Sequence, residues 1–171
     1  MSDPVLITGG AGSVGRQLAG MFLAEGRSVR IFDLPFMDFT GLEGQPNVEV
    51  LKGDITDRGS VKEAVLNVGG ILHLAALLPP TSERDRDKTF AVNVEGTRNI
   101  VDALKTQSSK ATLVFTSSIS TYGDTSNETD PITISQPQNA IDIYAESKIA
   151  GEKILIAVSY THLTLPTKRI V

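Results

Sequence analysis

The stretch Thr8-Gly9-Gly10-Ala11-Gly12-Ser13-Val14-Gly15 decides the fold of this chain. It follows a short apolar run, Pro4–Thr8, and leads into Ser13–Glu25, whose apolar residues recur at helical spacing. A strand, a glycine-rich turn and a helix in this order are typical of the first unit of a parallel α/β sheet. Gly26 follows the helical segment at once and is expected to end it as the C′ residue.

The glycines of this turn predict an anion site. Gly9 permits the dihedral angles of a tight turn, Gly12 lets a diphosphate approach the backbone, and Gly15 lets the helix pack closely. The N-terminus of the helix offers N–H groups and a positive dipole end. We therefore predict a dinucleotide site that includes Gly9, Gly12, Ser13, Val14 and Gly15. The alternative is a loop that merely needs flexible residues, but the flanking strand, the helix and a downstream acid all agree with the cofactor interpretation.

Strands and helices alternate along the rest of the chain. After the first strand, the pattern predicts strands at Ser28–Asp33, Val48–Lys52, Gly70–Ala75 and Thr112–Thr116. Between them it predicts a helix capped by Asp57, a long helix from about Lys88 to Thr106, and a last helix that carries Tyr144 and Lys148. This alternation predicts an α/β fold, a doubly wound parallel sheet of the Rossmann type with strand order 3-2-1-4-5.

Asp33 ends the second predicted strand, at the distance from the glycines where a ribose-binding acid is expected. Its carboxylate would accept hydrogen bonds from ribose hydroxyls and repel a 2′-phosphate, so the sequence favours NAD over NADP. Strand alternation places Arg30 differently from Asp33. The alternative is a solvated acid at a strand end.

Tyr144-Ala145-Glu146-Ser147-Lys148 predicts a proton-transfer group. A tyrosine and a lysine four residues apart lie on one face of a helix. The charge of the lysine is expected to lower the tyrosine pKa from about 10 toward working pH. Such a tyrosine can move a proton while a nicotinamide moves a hydride, so we expect Tyr144 to face the dinucleotide site. The alternative, an exposed helical pair, would be preferred without the glycine turn.

The composition limits the functions that are open to the chain. Its 171 residues suffice for one domain, its net charge is −4, and 40% of its residues are hydrophobic. Without basic runs, a nucleic-acid or acidic-membrane surface is not expected. The chain has no cysteine, which excludes disulfides and a cysteine nucleophile, and no spacing of His, Asp and Glu suggests a metal site. The apolar run near the N-terminus is too short for a signal peptide or membrane span, so a cytoplasmic protein is expected.

Six motifs occur in the order of one family. They are the glycine turn, Gly53-Asp54-Ile55, His73-Leu74-Ala75-Ala76, Asn93-Val94-Glu95-Gly96-Thr97, the segment from Phe115 to Gly123, and the Tyr144–Lys148 motif. From about Val5 to Ala157 the chain resembles the short-chain dehydrogenase/reductase superfamily, and within it the extended NAD-dependent epimerase/dehydratase family.

The resemblance implies a role for each motif. Tyr144 would be the acid/base, Lys148 would lower its pKa and bond the nicotinamide ribose, and Ser118 would position the substrate oxygen, with Ser117 as the weaker candidate. Further cofactor contacts are implied at Asp54, Ile55, Leu74, Ala75, Ala76, Asn93 and Thr116. Asn93 is ambiguous, because an asparagine on this helix often supports the backbone of such proteins. His73 is expected to be a strand residue whose nitrogens are satisfied.

The resemblance implies a NAD-dependent oxidoreductase or epimerase that acts by hydride transfer on a hydroxyl or carbonyl of a small, sugar-type substrate. Ser118-Ile119-Ser120 replaces the Thr-Asp-Glu of sugar-nucleotide dehydratases, so a dehydratase is disfavoured. Epimerase, sugar dehydrogenase and ketone reductase stay open. Relatives dimerise through the helices starting near Lys88 and Tyr144, which implies a homodimer for a full-length parent. The alternatives are a non-catalytic NAD(P)-binding sensor or regulatory module on the same fold, and an inactive gene fragment.

The end of the chain changes character after about Ala157. Val158–Thr167 reads like the translation of a transposon-type sequencing-library adapter. We therefore expect residues 1–157 to form an incomplete, truncated NAD-binding domain and 158–171 to be a non-native tail, and we expect the chain as written to show no turnover. The alternative is a genuine but unusual tail, and different codons across Val158–Thr167 would establish it.

Overall fold

The computed structural model describes residues 3–107, 111–126 and 131–161, with side chains to residue 158. The strands are β1 Val5–Thr8, β2 Val29–Asp33, β3 Val48–Lys52, β4 Gly70–His73 and β5 Thr112–Phe115. The α-helices are α1 Ser13–Ala24, α2 Arg58–Val65, α3 Arg86–Phe90, α4 Gly96–Lys105 and α5 Ile143–Thr161. Short 3-10 helices span Thr81–Glu83 and Ile119–Tyr122, and a π-helical stretch spans Ala91–Glu95.

The strands form one parallel sheet in the order β3-β2-β1-β4-β5, as predicted. Val5 pairs with Val29 on one side and with Gly70 on the other. The chain runs from β1 outward to β3 and then returns to the other side of β1 with β4. The carboxyl ends of β1 and β4 therefore flank the point where the strand order reverses, which is where such folds bind ligands.

The described chain divides into two compact units. The first, called here the sheet unit, contains the residues up to Ala76 together with Glu95–Thr116. The second, the Tyr144 unit, contains Leu77–Val94 and the residues from Ser117 onward.

The core of the sheet unit lies along the central strands. All four residues of β1 are buried, and Leu6, Ile7 and Ile31 have no exposed surface. A central strand of a parallel sheet is covered on both faces, so it is apolar throughout rather than alternating. Each such side chain contributes about 1.5–3 kcal/mol through burial.

Helix α1 ends as its sequence predicts. Gly26 has a φ of +73°, its N–H donates to the oxygen of Leu23 at 2.9 Å, and the N–H of Arg27 donates to Phe22 at 2.9 Å. These two bonds form a Schellman motif, which ends helices at a glycine because its left-handed backbone has no Cβ clash.

Two helix predictions were wrong in detail. The single helix expected from Lys88 to Thr106 is interrupted by the π-helical stretch Ala91–Glu95 and begins earlier, at Arg86. A π-helical turn contains one more residue than an α-helical turn, and the spacing of apolar residues in the sequence does not reveal it. Helix α5 continues to Thr161, past the predicted change at Ala157, because neither proline nor glycine occurs between Glu152 and Thr161. Residues 162–171 of the predicted tail lie outside the described residues.

Candidate active site

The glycine turn is closed by contacts that leave no space for side chains. Gly9 has a φ of +68°, and a Cβ there would lie 3.0 Å from the backbone nitrogen of Ala75. A Cβ at Gly15 would lie 2.6 Å from the Cα of Gly10, so the helix packs against the turn itself. At Gly12, by contrast, only the oxygen of Gly9 lies near a Cβ, at 3.2 Å. The backbone at Gly12 is therefore the part of the turn that a ligand could approach.

Gly10 was missed as a required glycine. A Cβ there would lie 2.7 Å from the oxygen of Ile7 and 2.8 Å from the Cγ2 atom of Ile31. The turn thus passes directly over the end of β1, with the side chain of the neighbouring strand beneath it. The adjacent pair Gly9-Gly10 was the available signal, because two consecutive glycines indicate two close approaches rather than one.

The N-terminus of α1 carries no carboxylate. Its N-cap residue is Gly12, which has no side chain that could accept a backbone N–H, and the first turn contains no acid. The N–H groups of Ser13, Val14 and Gly15 have no place in the intrahelical ladder. Val14 is 59% exposed. The positive end of the helix dipole is thus open to an anion, as the sequence predicts for the diphosphate of a dinucleotide.

Asp33 lies beside this turn. Its Oδ2 atom accepts the N–H of Ala11 at 3.0 Å, and its Oδ1 atom accepts the N–H of Leu34 at 2.9 Å. Each carboxylate oxygen can accept a further bond, which suits the predicted contact with ribose hydroxyls. Arg30 is directed elsewhere, as predicted: it donates to Glu49 at 2.7 Å and to the oxygen of Ala64 at 2.9 Å.

Arg16 links α1 to the loop that follows Asp33. Its Nε atom donates to the oxygen of Ala11 at 2.9 Å, and an Nη atom donates to the oxygen of Thr40 at 2.8 Å. It also contacts Asp38. Sequence analysis missed this residue, because its partners are backbone oxygens that carry no residue signature. The guanidinium holds the turn and the loop together.

The residues after β3, Asp54 and Ile55, make contacts within the protein that account for their presence without a cofactor. The Oδ1 atom of Asp54 accepts the N–H and the hydroxyl of Thr56, both at 2.9 Å. Ile55 is buried, and a Cβ at Gly96 would lie 2.9 Å from it. Asp54 shapes the turn and Ile55 packs α4 against it, while their predicted contacts with the cofactor stay predictions.

His73 has both ring nitrogens bonded inside the sheet unit, as predicted. It is 1% exposed, with Nδ1 2.7 Å from the Oγ1 atom of Thr8 and Nε2 3.0 Å from that of Thr97. The N–H groups of Leu74 and Ala75 also donate to Thr8 Oγ1, each at 3.2 Å. Thr8 and Thr97 were missed, although both occur within motifs that were singled out.

The remaining cofactor candidates in the sheet unit follow strand ends. Ala76 comes directly after Leu74 and Ala75 at the carboxyl end of β4. Thr116 comes directly after β5 and donates its hydroxyl to the oxygen of His73 at 3.3 Å. Both residues lie at the carboxyl edge of the sheet, where ligands bind in this class of fold.

The Tyr144 unit brings the three predicted catalytic residues together. The Nζ atom of Lys148 lies over the ring of Tyr144, 5.6 Å from its centroid. The side chain of Ser118 lies near enough to the phenol of Tyr144 to act on its pKa. Lys148 is 3% exposed, whereas Tyr144 is partly exposed. The phenol therefore has a buried amine and a serine hydroxyl near it.

The predicted direction of the tyrosine pKa shift was wrong. Burial raises the pKa of Tyr144 above its ordinary 10.0, the charge of Asp142 adds to this, and the hydrogen bond with Ser118 acts in the opposite direction. Burial also lowers the pKa of Lys148 to about 8. The amine thus loses its proton before the phenol would ionise, so it carries no charge with which to favour the phenolate at that pH.

Ser117 and Ser118 have different partners. The Oγ atom of Ser118 accepts the N–H of Ser120 at 3.2 Å and the hydroxyl of Ser120 at 2.8 Å. Ser117 instead donates to Glu152, which also accepts the side-chain amide of Gln138 at 3.0 Å. This supports Ser118 over Ser117 as the residue beside Tyr144. Glu152 is buried and was missed, although a carboxylate four residues after Lys148 lies on the same helical face.

Asn93 supports the backbone of the Tyr144 unit. Its Oδ1 atom accepts the N–H of Leu77 at 2.7 Å, and its amide nitrogen donates to the oxygen of Leu77 at 3.1 Å and to Ser147 at 2.9 Å. The side chain is 2% exposed. This is the supporting role that the sequence allowed for, and its predicted contact with the cofactor stays a prediction.

Two carboxylates occupy the N-terminus of α5. Glu83 accepts the N–H of Ile143 at 2.9 Å and that of Tyr144 at 3.0 Å, and Asp142 accepts the N–H of Ala145 at 2.7 Å. Burial acts to raise the pKa of Glu83, but the bonds from Ser82, Ile143 and Tyr144 outweigh it and lower that pKa. Glu83 is separated from these partners by about 60 residues of sequence, so no local pattern predicts that it caps this helix.

Two further structural findings concern only the part of the chain that the structure describes. There, no group of three or more Cys, His, Asp or Glu side chains is arranged to hold a metal ion. No helix of those residues combines the length and apolar character needed to cross a membrane.

Comparisons with known proteins agree with the fold. The 3 beta-hydroxysteroid dehydrogenase/Delta 5-->4-isomerase of Mycobacterium tuberculosis is 36% identical over 164 residues, which cover 90% of this chain and 42% of that protein. The D-erythronate dehydrogenase of Cupriavidus necator is 31% identical, with 88% and 49% covered. The structure of UDP-glucose 4-epimerase from Brucella ovis in complex with NAD is 27% identical with a TM-score of 0.81, and 94% of this chain and 49% of that chain are covered.

The chain spans less than half the length of these relatives. A sequence model described as the NAD dependent epimerase/dehydratase family matches residues 5–167. That match runs past residue 157, so the boundary between domain and tail stays a prediction. The resemblance seen in the six motifs is confirmed, and the chain belongs to the NAD-dependent epimerase/dehydratase family.

Proposed function

We propose that this chain is the NAD-binding part of an oxidoreductase or epimerase that acts on a hydroxyl or carbonyl group of a small substrate, with sugar-type compounds among the candidates. The observation that carries this proposal is the grouping of Tyr144, Lys148 and Ser118 within one compact unit. A buried amine beside a phenol that has a hydroxyl partner is an arrangement for moving protons, and a module that only senses a nucleotide has no use for it.

The residues of the glycine turn fit a dinucleotide. The backbone at Gly12 is open to a ligand, the N-terminus of α1 holds no carboxylate, and Asp33 retains acceptor capacity. These groups would hold the diphosphate and the adenosine ribose. When bound, NAD supplies the acceptor or donor of a hydride. The assignment of each cofactor contact, and the placement of Tyr144 toward that site, are part of the proposal.

The protonation states of Tyr144 and Lys148 at pH 7 determine which proton transfers are open to Tyr144. Because burial raises its pKa, Tyr144 is a neutral phenol at pH 7 and can donate a proton from its hydroxyl to a carbonyl oxygen. Lys148, whose pKa is about 8, is mainly an ammonium at that pH. In the reverse direction, oxidation of a hydroxyl, Tyr144 would accept the substrate proton as a phenolate, and its raised pKa disfavours that form at pH 7.

Substrate identity is proposed only as a class. The relatives act on a hydroxysteroid, on D-erythronate and on UDP-glucose, and all three compounds carry hydroxyl groups. Tyr144 and Ser118 provide two hydroxyl groups that a substrate oxygen could contact. We therefore propose that the hydroxyl or ketone oxygen of the substrate contacts both of these side chains.

The test is a matched pair of variants in the longer protein that contains this chain. Tyr144→Phe should lower kcat by about 10²–10⁴-fold while the Kd for NAD stays within about twofold. Ser118→Ala should lower kcat, whereas Ser117→Ala should act mainly on stability through Glu152. A Tyr144→Phe variant with wild-type turnover would contradict the proposal, and NAD binding without turnover in the unmodified protein would favour a sensor.

We also propose that the 171-residue chain binds NAD without turnover. Support comes from the share of each relative that the chain covers, which is 42% and 49%. Sustained reduction of NAD by the purified chain would refute this. Self-association through the helices that start near Lys88 and Tyr144 stays a prediction, which the molar mass of the full-length parent in solution would test.

A further inference from the structure

The carboxyl ends of β1 and β4 are joined by a buried network in which the hydrogen positions can be deduced. Thr8 Oγ1 has three polar neighbours within the sheet unit. They are the backbone nitrogens of Leu74 and Ala75, each at 3.2 Å, and the Nδ1 atom of His73 at 2.7 Å. The N–H of Leu74 is shared, since it also donates to the backbone oxygen of Thr8 at 3.2 Å.

The valence of a hydroxyl fixes the direction of each bond. A threonine hydroxyl has one proton to donate and two lone pairs that accept. The two N–H groups of Leu74 and Ala75 can only donate, so they fill both lone pairs. If Nδ1 of His73 also donated, Thr8 would receive three protons on two lone pairs. Even with the Leu74 N–H shared with the Thr8 backbone oxygen, the arrangement favours donation from the Thr8 hydroxyl to Nδ1, which then carries no proton.

The other ring nitrogen follows from this. A neutral imidazole with a bare Nδ1 has its proton on Nε2. Nε2 lies 3.0 Å from Thr97 Oγ1, so it donates to that hydroxyl. We propose that His73 is a neutral imidazole protonated on Nε2, and that His73 and Thr97 are positioning residues that orient the Thr8 hydroxyl to hold Leu74 and Ala75 beside the glycine turn.

The position of this network gives it a function. Thr8 directly precedes Gly9, and a Cβ at Gly9 would lie 3.0 Å from the nitrogen of Ala75, so the turn and the end of β4 are in contact. These strand ends flank the point where strand order reverses. The Thr8 hydroxyl therefore sets the spacing of the two segments that would border a bound dinucleotide. This inference rests on the proposed NAD site at the glycine turn.

The tautomer is measured directly by nitrogen NMR on the 171-residue chain labelled at histidine. The sequence contains only two histidines, and a His162→Gln variant assigns the two signals. At neutral pH we expect Nδ1 of His73 to have the chemical shift of an unprotonated ring nitrogen and Nε2 to carry the proton. A proton on Nδ1, or on both nitrogens, would overturn the deduction without any need for NAD.

The positioning role is tested by NAD affinity. Thr97→Val keeps the shape of the side chain but removes the acceptor for Nε2–H, and we expect about tenfold weaker NAD binding. Thr97→Ser should restore most of the affinity. Thr106→Val is the matched control, since Thr106 donates to Ala103 at the far end of the same helix and its loss should leave NAD affinity unchanged.

Each outcome separates the two levels of the proposal. If the wild-type chain binds NAD and Thr97→Val binds it equally well with an unchanged His73 spectrum, the positioning role is overturned and the NAD site stands. If Thr97→Val fails to fold, Thr8→Ser and Thr8→Val give the same comparison at the other end of the network. If the wild-type chain does not bind NAD, the proposed function fails and the positioning role fails with it, while the spectrum still decides the tautomer.

Discussion

Helices α1 and α5 begin in opposite ways, although the sequence places a candidate functional motif on each. The first turn of α1 contains no acid, and its N-cap residue, Gly12, has no side chain that could accept a backbone N–H. The first turn of α5 is held by Glu83 and Asp142, which accept the N–H groups of Ile143, Tyr144 and Ala145. The same unsatisfied N–H groups of a helix terminus thus have two different uses.

The contrast separates binding from positioning. An open helix terminus attracts an anion, so α1 is suited to the diphosphate of a dinucleotide. A terminus already occupied by two carboxylates repels an anion, and in α5 it fixes the backbone of Tyr144 instead. Helices α2 and α3 are capped in the same manner as α5, by Asp57 and Asp85. The exposed N-terminus of α1 is therefore a specific feature of the glycine turn rather than a general property of this chain.

The largest effect is expected when α1 is given the capping of α5. Gly12→Asp places a carboxylate at an N-cap position whose φ is −72° and whose added Cβ would lie 3.2 Å from the oxygen of Gly9, a close contact that the Gly12→Ala control shares. Aspartate is a good N-cap, so the Tm should hold or rise, but the added charge should weaken NAD binding by at least about 100-fold. Titration calorimetry and thermal unfolding measure both effects. Gly12→Ala is the control without charge, and equal losses in the two variants would show that size rather than charge acts here.

On the α5 side, the largest expected effect comes from the buried amine. Lys148→Met should stabilise the chain at pH 7 by up to about 3 kcal/mol, because the pKa of Lys148 is lowered from 10.5 to about 8. Between pH 8 and pH 10.5 the unfolded chain binds more protons at this lysine than the folded chain does. The free energy of unfolding of the wild type therefore rises with pH in this range. The advantage of the variant should therefore be full below pH 8 and fade toward pH 10.5. A constant difference across this range, measured by chemical denaturation, would contradict the lowered pKa.

A smaller effect on binding is expected at Asp33. Asp33→Ser removes the carboxylate that would accept the ribose hydroxyls, so the Kd for NAD should rise about tenfold. Glu49→Gln is the matched control at the neighbouring strand, where the carboxylate bonds Arg30 instead. Unchanged affinity in Asp33→Ser would remove Asp33 from the site.

The smallest effect is expected at the cap of α5. Glu83→Gln weakens the acceptor for Ile143 and Tyr144 and should lower the Tm by a few degrees above pH 5. The pKa of Glu83 is lowered in the folded chain, so its contribution is present above the unfolded pKa of 4.5 and is lost as pH falls through the folded pKa. The two Tm values should converge in acid. Glu25→Gln, at the C-terminal end of α1, is the control for the loss of a carboxylate that caps no helix N-terminus.

The features predicted correctly are those with a local or periodic signal. The strand order follows from the alternation of apolar runs and helices, and the end of α1 follows from Gly26. The satisfied His73 was expected because a histidine inside an apolar strand is usually bonded on both sides. The grouping of Tyr144 with Lys148 follows from helical spacing alone.

The features that were missed depend on contacts between distant segments or on burial. Glu83 reaches the N-terminus of α5 across about 60 residues, and Thr8 reaches His73 across 65. The direction of the Tyr144 pKa shift depends on how deeply the phenol and the amine are buried, which spacing does not specify. Sequence patterns therefore indicated the proposed reacting groups but not the groups that hold them or set their charge.

The central claim, that α1 rather than α5 receives the diphosphate, is tested most directly by an amide NMR titration of the 171-residue chain with ADP. ADP carries the diphosphate and the adenosine ribose without the nicotinamide. We predict large, saturable shifts for the N–H groups of Ser13, Val14 and Gly15, and small shifts for those of Ile143, Tyr144 and Ala145. Shifts that are largest at the N-terminus of α5, or an unmoved N-terminus of α1 at saturation, would contradict the account.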